Sequence, residues 1–148
     1  MKKILFIICI LLLLIGIVVG YSFNIKIKER ETNNTNKEFE SYLNVDIRGS
    51  SLLSIMNKAI DLNNKNGIQK DSEGFFIEND TNSMKIYISF IGRETLFSFE
   101  QINDSGMDKF AQNFAAILFR CNKIEYHEST GLISKMYFQE IEETNVDN

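Results

Sequence analysis

Two patterns of hydrophobic and polar positions divide the chain. From Ile4 to Ile25 no charged residue occurs, and from Ile4 to Ile15 the apolar residues follow one another unbroken. As a helix, this stretch rises roughly 33 Å at about 1.5 Å per residue, enough for a hydrocarbon core about 30 Å thick. A buried core helix in so short a chain would carry polar interruptions, and this one has none. The segment therefore reads as a membrane anchor, meeting lipid through residues 4–25. After it the pattern becomes periodic. Residues 26–44 are polar and charged, a stalk or an extension of the helix, with Thr32–Asn36 favouring coil because these side chains compete for backbone hydrogen bonds.

The periodic part predicts a small domain over residues 45–141. Leu52, Ile55, Met56 and Ala59 fall on one helical face, so 51–64 is expected to be a helix. Ser50 or Ser51 is placed to cap it, and Gly67 to close it in a left-handed conformation. Three strands follow, 74–78, 84–91 and 94–99. The middle one alternates Met84, Ile86, Ile88 and Phe90 with Lys85, Tyr87 and Ser89, the period of a half-buried strand. Asn79–Asn82 and Gly92-Arg93 supply the turns. Asn103-Asp104-Ser105-Gly106 opens a second helix whose stripe is Met107, Phe110, Ala111, Phe114, Ile117 and Leu118. A hairpin of 123–128 and 132–141 closes the domain around Ser129-Thr130-Gly131. The expected fold is α+β in two layers: an antiparallel sheet of about five strands with two helices, in the order α-βββ-α-ββ. Residues 142–148 form an acidic tail.

Charge and cysteine usage narrow the function. Apart from Lys2 and Lys3, the chain carries 14 basic and 20 acidic residues, a net charge of −6. An acidic domain without a basic stripe is a poor nucleic-acid binder. Cys9 lies in the apolar segment and Cys121 in the domain, so no disulfide scaffold is expected. Cys9 lacks the small preceding residue of a lipidation site, since Ile8 stands there. Cys121 reads as a small buried hydrophobe.

Candidate chemistry is thin. His127 suggests a dyad with Cys121, but six residues along a strand span roughly 20 Å, far beyond the roughly 3 Å that a dyad needs. Glu125 and His127 would share a strand face, which provides two metal ligands where sites need three or four. Asp61–Gly67 is somewhat like a calcium loop, yet its sixth position is Asn66 and its twelfth is Ser72, where Gly and Glu are required. Phosphate loops and nucleophile elbows are missing. No catalytic, cofactor-binding or metal residue is assigned, and an enzyme is disfavoured.

The stretches Gly49–Ala59, Ile124–His127, Thr130-Gly131 and Ser134–Phe138 resemble small uncharacterised single-pass membrane proteins of low-GC Gram-positive bacteria. That resemblance implies bacterial origin and an anchor, and no activity. The layout is also similar to pilin-like proteins, although the Gly before the apolar segment and the acidic residue within it, on which their processing depends, do not occur here. The reading is thus a membrane-anchored, non-enzymatic protein, protein-binding or envelope-associated. A pilin-like or secretion-system subunit is the alternative and an enzyme the remote third. Orientation is contested. Lys26, Lys28, Arg30 and Lys37 follow the apolar segment, and Lys2 and Lys3 precede it. The signal-anchor layout places the domain outside the cytoplasm.

Overall fold

The computed structural model describes Lys2–Glu142. Beyond Glu142, the expected acidic tail lies outside the described residues. The chain divides into two compact units between Asn34 and Thr35.

The first unit is helical. Helix α1 runs Lys2–Glu40, so residues 32–38 are helix and not coil. It is long and apolar enough to cross a membrane. Every residue from Cys9 to Ile27 is exposed, with the apolar residues spread around the whole circumference. The few polar side chains here bond to their own helix. Ser22 Oγ donates to the Val18 carbonyl at 2.9 Å, and Asn24 Nδ2 donates to that of Gly20 at 3.1 Å. This self-satisfaction is what a polar group needs where water is scarce.

The second unit is mixed α+β. After the end of α1 come β1 (Asp46–Arg48), α2 (Gly49–Lys65), β2 (Lys85–Ser89), β3 (Leu96–Ser98), α3 (Phe99–Phe114), β4 (Leu118–Tyr126) and β5 (Ile133–Ile141). One sheet holds all five strands in the order β1-β4-β5-β2-β3. The expected hairpins form: β2 with β3, and β4 with β5, both antiparallel. The expectation of an all-antiparallel sheet fails at its centre, where β2 and β5 run parallel, Ile86 beside Met136 and Ile88 beside Phe138.

The strand expected at 74–78 is not in the sheet. Asp71 Oδ1 accepts from the amides of Glu73 and Phe75, both at 2.9 Å. This turn folds the segment back on itself, leaving one isolated bridge between Lys70 and Phe76. Only Phe76 is buried, while Ile77 is exposed. The fifth strand is instead β1, on the far edge against β4. The element order after α1 is therefore β-α-β-β-α-β-β.

The parallel centre is prepared by two asparagines. Asn63, fully buried at the end of α2, donates to the Met84 carbonyl and accepts from the Met84 amide, each at 2.8 Å. Asn36, on the last turns of α1, donates to the Gly131 carbonyl at 2.7 Å and accepts from the Ile133 amide at 3.0 Å. Each side-chain amide does what a neighbouring strand would do, one just before β2 and the other at the start of β5. Buried backbone groups must find partners, and these two strands begin where no strand supplies them.

The helix starts also differ from expectation. Helix α2 has no side-chain cap from Ser50 or Ser51; Arg48 occupies the cap position. Its first amides bond instead to the chain leaving α3, Gly49 N to Ile117 O at 2.8 Å and Ser50 N to Ala115 O at 3.1 Å. Gly49 permits that approach, because a Cβ there would stand 1.9 Å from the Phe114 carbonyl oxygen. At its other end Gly67 has φ 67°, the left-handed closure expected of it. Helix α3 starts earlier than expected, at a capping box in which Ser98 and Gln101 exchange hydrogen bonds. Gly106, with φ 104° and ψ 113°, then kinks it.

Helices α2 and α3 pack against each other and against one face of the sheet. The core lies between: Leu52, Ile55, Met56 and Ala59 from α2, Phe110 from α3, and Ile86, Ile88, Phe119, Cys121, Met136 and Phe138 from the strands. Phe39 of α1 joins it, 3% exposed.

Candidate interaction surface

The side chains singled out for chemistry are engaged separately. Cys121 is fully buried, and its Sγ lies 3.6 Å from the Lys123 carbonyl. Burial pushes its thiol pKa up, against hydrogen bonds from the backbone. His127 Nε2 sits 2.7 Å from the Ser83 carbonyl, which can only accept, so this nitrogen carries a proton. The His127 backbone closes the β4–β5 turn through Leu132 O and Gly131 N, both at 2.8 Å. Glu125 accepts from Lys123 Nζ at 2.5 Å and from the Tyr137 hydroxyl at 3.3 Å. Register shifts at Cys121/Lys123 and Glu125/Tyr126 interrupt the alternation along β4, so the shared strand face expected for Glu125 and His127 does not form. Among the described residues no three His, Cys, Asp or Glu side chains converge on a point that could hold a metal. In the Asp61–Gly67 stretch Asn63 is the clamp on β2, and Asn66 donates to the Asn82 carbonyl at 2.9 Å.

Strand alternation sends a second set of side chains to the sheet face away from the helices. Tyr87 and Tyr137, neighbours in register, stack with centroids 5.4 Å apart. The Tyr87 hydroxyl donates to Glu78 at 3.0 Å, and Lys135 Nζ lies 2.9 Å from the other Glu78 oxygen. Burial works to raise the Glu78 pKa, but these two hydrogen bonds outweigh it and hold the carboxyl below its ordinary value. The same face carries Lys123, whose Nζ is 5.1 Å from the Tyr137 ring centre. At its margin Lys85 pairs with buried Glu100 at 2.5 Å. These charges pair with one another, although the second oxygen of Glu100, Oε2, is buried without a hydrogen-bond partner.

A different kind of surface opens where the β2–β3 turn meets the kinked helix α3. A groove of about 180 Å³ lies there. Its floor is aromatic. The Phe90 ring is 5.5 Å from Phe97 and 4.8 Å from Phe114, and Phe110 is 5.2 Å from Phe114. Phe90, Phe97 and Phe114 are half-buried and Phe110 is buried. Arg93 lies over this floor, its guanidinium carbon 5.6 Å from the Phe97 centroid and 6.0 Å from Phe90. Lys109, from α3, also lines the groove. Gly106 breaks α3 between Ile102 and Phe110, which both line the groove. Ile91 and Leu96, about half exposed, are not in its lining, and by register Leu96 shares the sheet face of Ser89 and Tyr87.

From the sequence, Phe110 and Phe114 read as core stripe and Arg93 as turn. That reading holds fully for Phe110, 4% exposed, and in part for half-buried Phe114. A weak signal did exist. Phe90 and Phe97 fall close on either side of the Gly92-Arg93 turn, and Phe110 and Phe114 in the second helix, a cluster of aromatic side chains. The chain matches no protein-family model, and no curated protein or solved structure matches it.

Proposed function

We propose that this is a membrane-anchored, non-catalytic protein whose α+β unit binds another protein at the cell envelope. The observation that carries this reading is a contrast. The polar groups with chemical potential, Cys121, His127, Glu125 and Glu78, are bound to structural partners. The aromatic groove of Phe90, Phe97 and Phe114 is left open to solvent. Exposed aromatic surface of this kind is costly to keep without a use and is the usual anchor of protein interfaces. The exposed apolar length of α1 supports anchoring, in line with the resemblance to single-pass proteins of low-GC Gram-positive bacteria. We place the α+β unit outside the cytoplasm, with Lys2 and Lys3 on the inner side of the apolar length. Protease treatment of intact cells and of inverted vesicles, with a C-terminal tag, tests the orientation. Digestion of the tag in intact cells is expected; digestion only in inverted vesicles overturns the outside placement.

A pilin-like role is the second reading, favoured by the continuity of α1 from its apolar length into Asn36 and Phe39. It requires filaments. Sedimentation of the membrane fraction and of detergent extracts separates the two readings, since the envelope-binding reading expects discrete particles.

A further inference from the structure

We infer that the groove between the β2–β3 turn and α3 takes a segment of a partner protein that carries one large apolar side chain flanked by carboxylates. The inference rests on the protein-binding reading and assigns its site and its chemistry.

Size and charge argue for this occupant. At about 180 Å³ the groove holds one large side chain, and it is smaller than the roughly 300 Å³ at which small-molecule and cofactor sites begin. Its floor of Phe90, Phe97, Phe110 and Phe114 suits an aromatic or branched aliphatic group. Among the described residues, the charged ones that line it are Arg93, from the β2–β3 turn, and Lys109, from α3, with no acid in the lining. Glu94, Asp104 and Asp108 are near in sequence but not in the lining. Among the described residues neither Arg93 nor Lys109 enters a salt bridge. In a unit of net negative charge, this is a basic rim around an apolar floor. A partner with carboxylates beside its anchor gains two cations that no acid in the groove competes for, and a basic partner is repelled by both.

The test uses the full chain in phosphatidylcholine nanodiscs and three fluorescent peptides built on a central Phe-Leu pair, flanked by Glu, Gln or Lys. Anisotropy should rank them Glu, then Gln, then Lys, with about tenfold between the first and last. The double variant Arg93→Glu with Lys109→Glu should reverse that order. Both side chains are exposed, so its melting temperature should match the parent. Phe97→Ser should weaken all three peptides together. Equal binding of the Glu and Gln peptides, or an order unchanged by the double variant, overturns the inference. Displacement of the Glu peptide by phosphatidylglycerol vesicles also overturns it, in favour of a lipid occupant. The broader reading is tested separately by benzoylphenylalanine placed at exposed Asn113 in the groove lining and at exposed Tyr126 of β4. Protein cross-links in cells with no carboxylate preference in vitro overturn only the chemistry. No protein cross-link from either position overturns protein binding itself.

Discussion

At the scale of single residues, two positions fix how the chain meets itself. Asn63 gives both hydrogen-bonding groups of Met84 a partner inside the core. Leaving a buried amide and carbonyl unpaired costs roughly 1–3 kcal/mol each. Asn63→Ala should therefore destabilise the unit by about 3 kcal/mol, read from the midpoint of urea unfolding at unchanged slope. Asn63→Asp keeps an acceptor for the Met84 amide and loses the donor to its carbonyl, while adding a buried charge. It should be no better than the alanine variant at neutral pH and should recover in part as pH is lowered. A loss below about 1 kcal/mol for Asn63→Ala would mean that water substitutes for the side chain. Gly49 is the second position. A methyl group on its Cα would lie 1.9 Å from the Phe114 carbonyl oxygen, which leaves no room for alanine. The obstacle is backbone, so α2 and the end of α3 must separate, and overpacking of this kind costs about 1–3 kcal/mol or more. Thermal unfolding of Gly49→Ala should show a clearly lowered midpoint, and a midpoint equal to the parent's would refute the close approach.

At the scale of elements, the sheet's polar face makes stability depend on pH at both ends. Glu78 is held below its ordinary value of 4.5, burial opposing but hydrogen bonds from Lys135 and Tyr87 prevailing. Glu125 is lowered by the hydrogen bond from Lys123, with burial opposing. A carboxylate with a depressed folded pKa contributes stability that is present above the unfolded value and is lost as pH falls through the folded one. Tyr87 is raised well above its ordinary value of 10.0, first by burial and then by its hydrogen bond to Glu78, and Tyr137 is raised by burial and the nearby Glu125 charge. Their contribution is complete below the ordinary phenol range and is lost as pH rises through their folded values. Lys123 and Lys135, raised by their bonds to Glu125 and Glu78, act in the same sense. Unfolding free energy should be flat near neutrality, falling below about pH 4.5 and above about pH 10. Tyr87→Phe should flatten part of the alkaline limb and bring the acid limb closer to the ordinary carboxylate range. An unchanged alkaline limb would mean that Tyr87 ionises freely in the fold. The elements most legible from sequence were the two hairpins, β2–β3 and β4–β5, where turn residues and alternating positions lie within one short stretch. The parallel contact of β2 with β5 was not legible, because it joins Lys85 to Lys135 across α3 and depends on asparagine side chains that read as turn formers. The run 74–78 has strand composition, but Asp71 turns it back before it can pair. The groove was hidden for a related reason: a phenylalanine that packs the core with one edge and lines a surface with the other looks, in sequence, like core alone.

At the scale of the whole molecule, the boundary of the folded unit follows from α1 and not from composition. Polar residues 26–44 look like a tether, yet the compact unit begins at Thr35. Within that unit the last turns of α1 make two main contributions. Phe39 enters the core at 3% exposure, and truncating a buried Phe costs about 3–5 kcal/mol. Asn36 pairs with the Ile133 amide and the Gly131 carbonyl, the first of them buried, which adds about 1–3 kcal/mol. The further contacts, Lys58 with Glu38 and the Tyr126 hydroxyl with Glu40, are exposed and add little. Against a total stability of about 5–15 kcal/mol for a domain of this size, losing both of the main contributions removes a large share. Two fragments separate the possibilities. Residues 35–142 should unfold cooperatively with dispersed amide resonances. Residues 45–142, which start where the sequence pattern alone would place the domain, should have a much lower midpoint or broadened resonances with helix and strand content retained. Equal midpoints for the two fragments would show that the end of α1 is a mere tether. A large gap would show that Asn36 and Phe39, although they lie in a polar stretch, belong to the folded unit, because its core and the start of β5 depend on them.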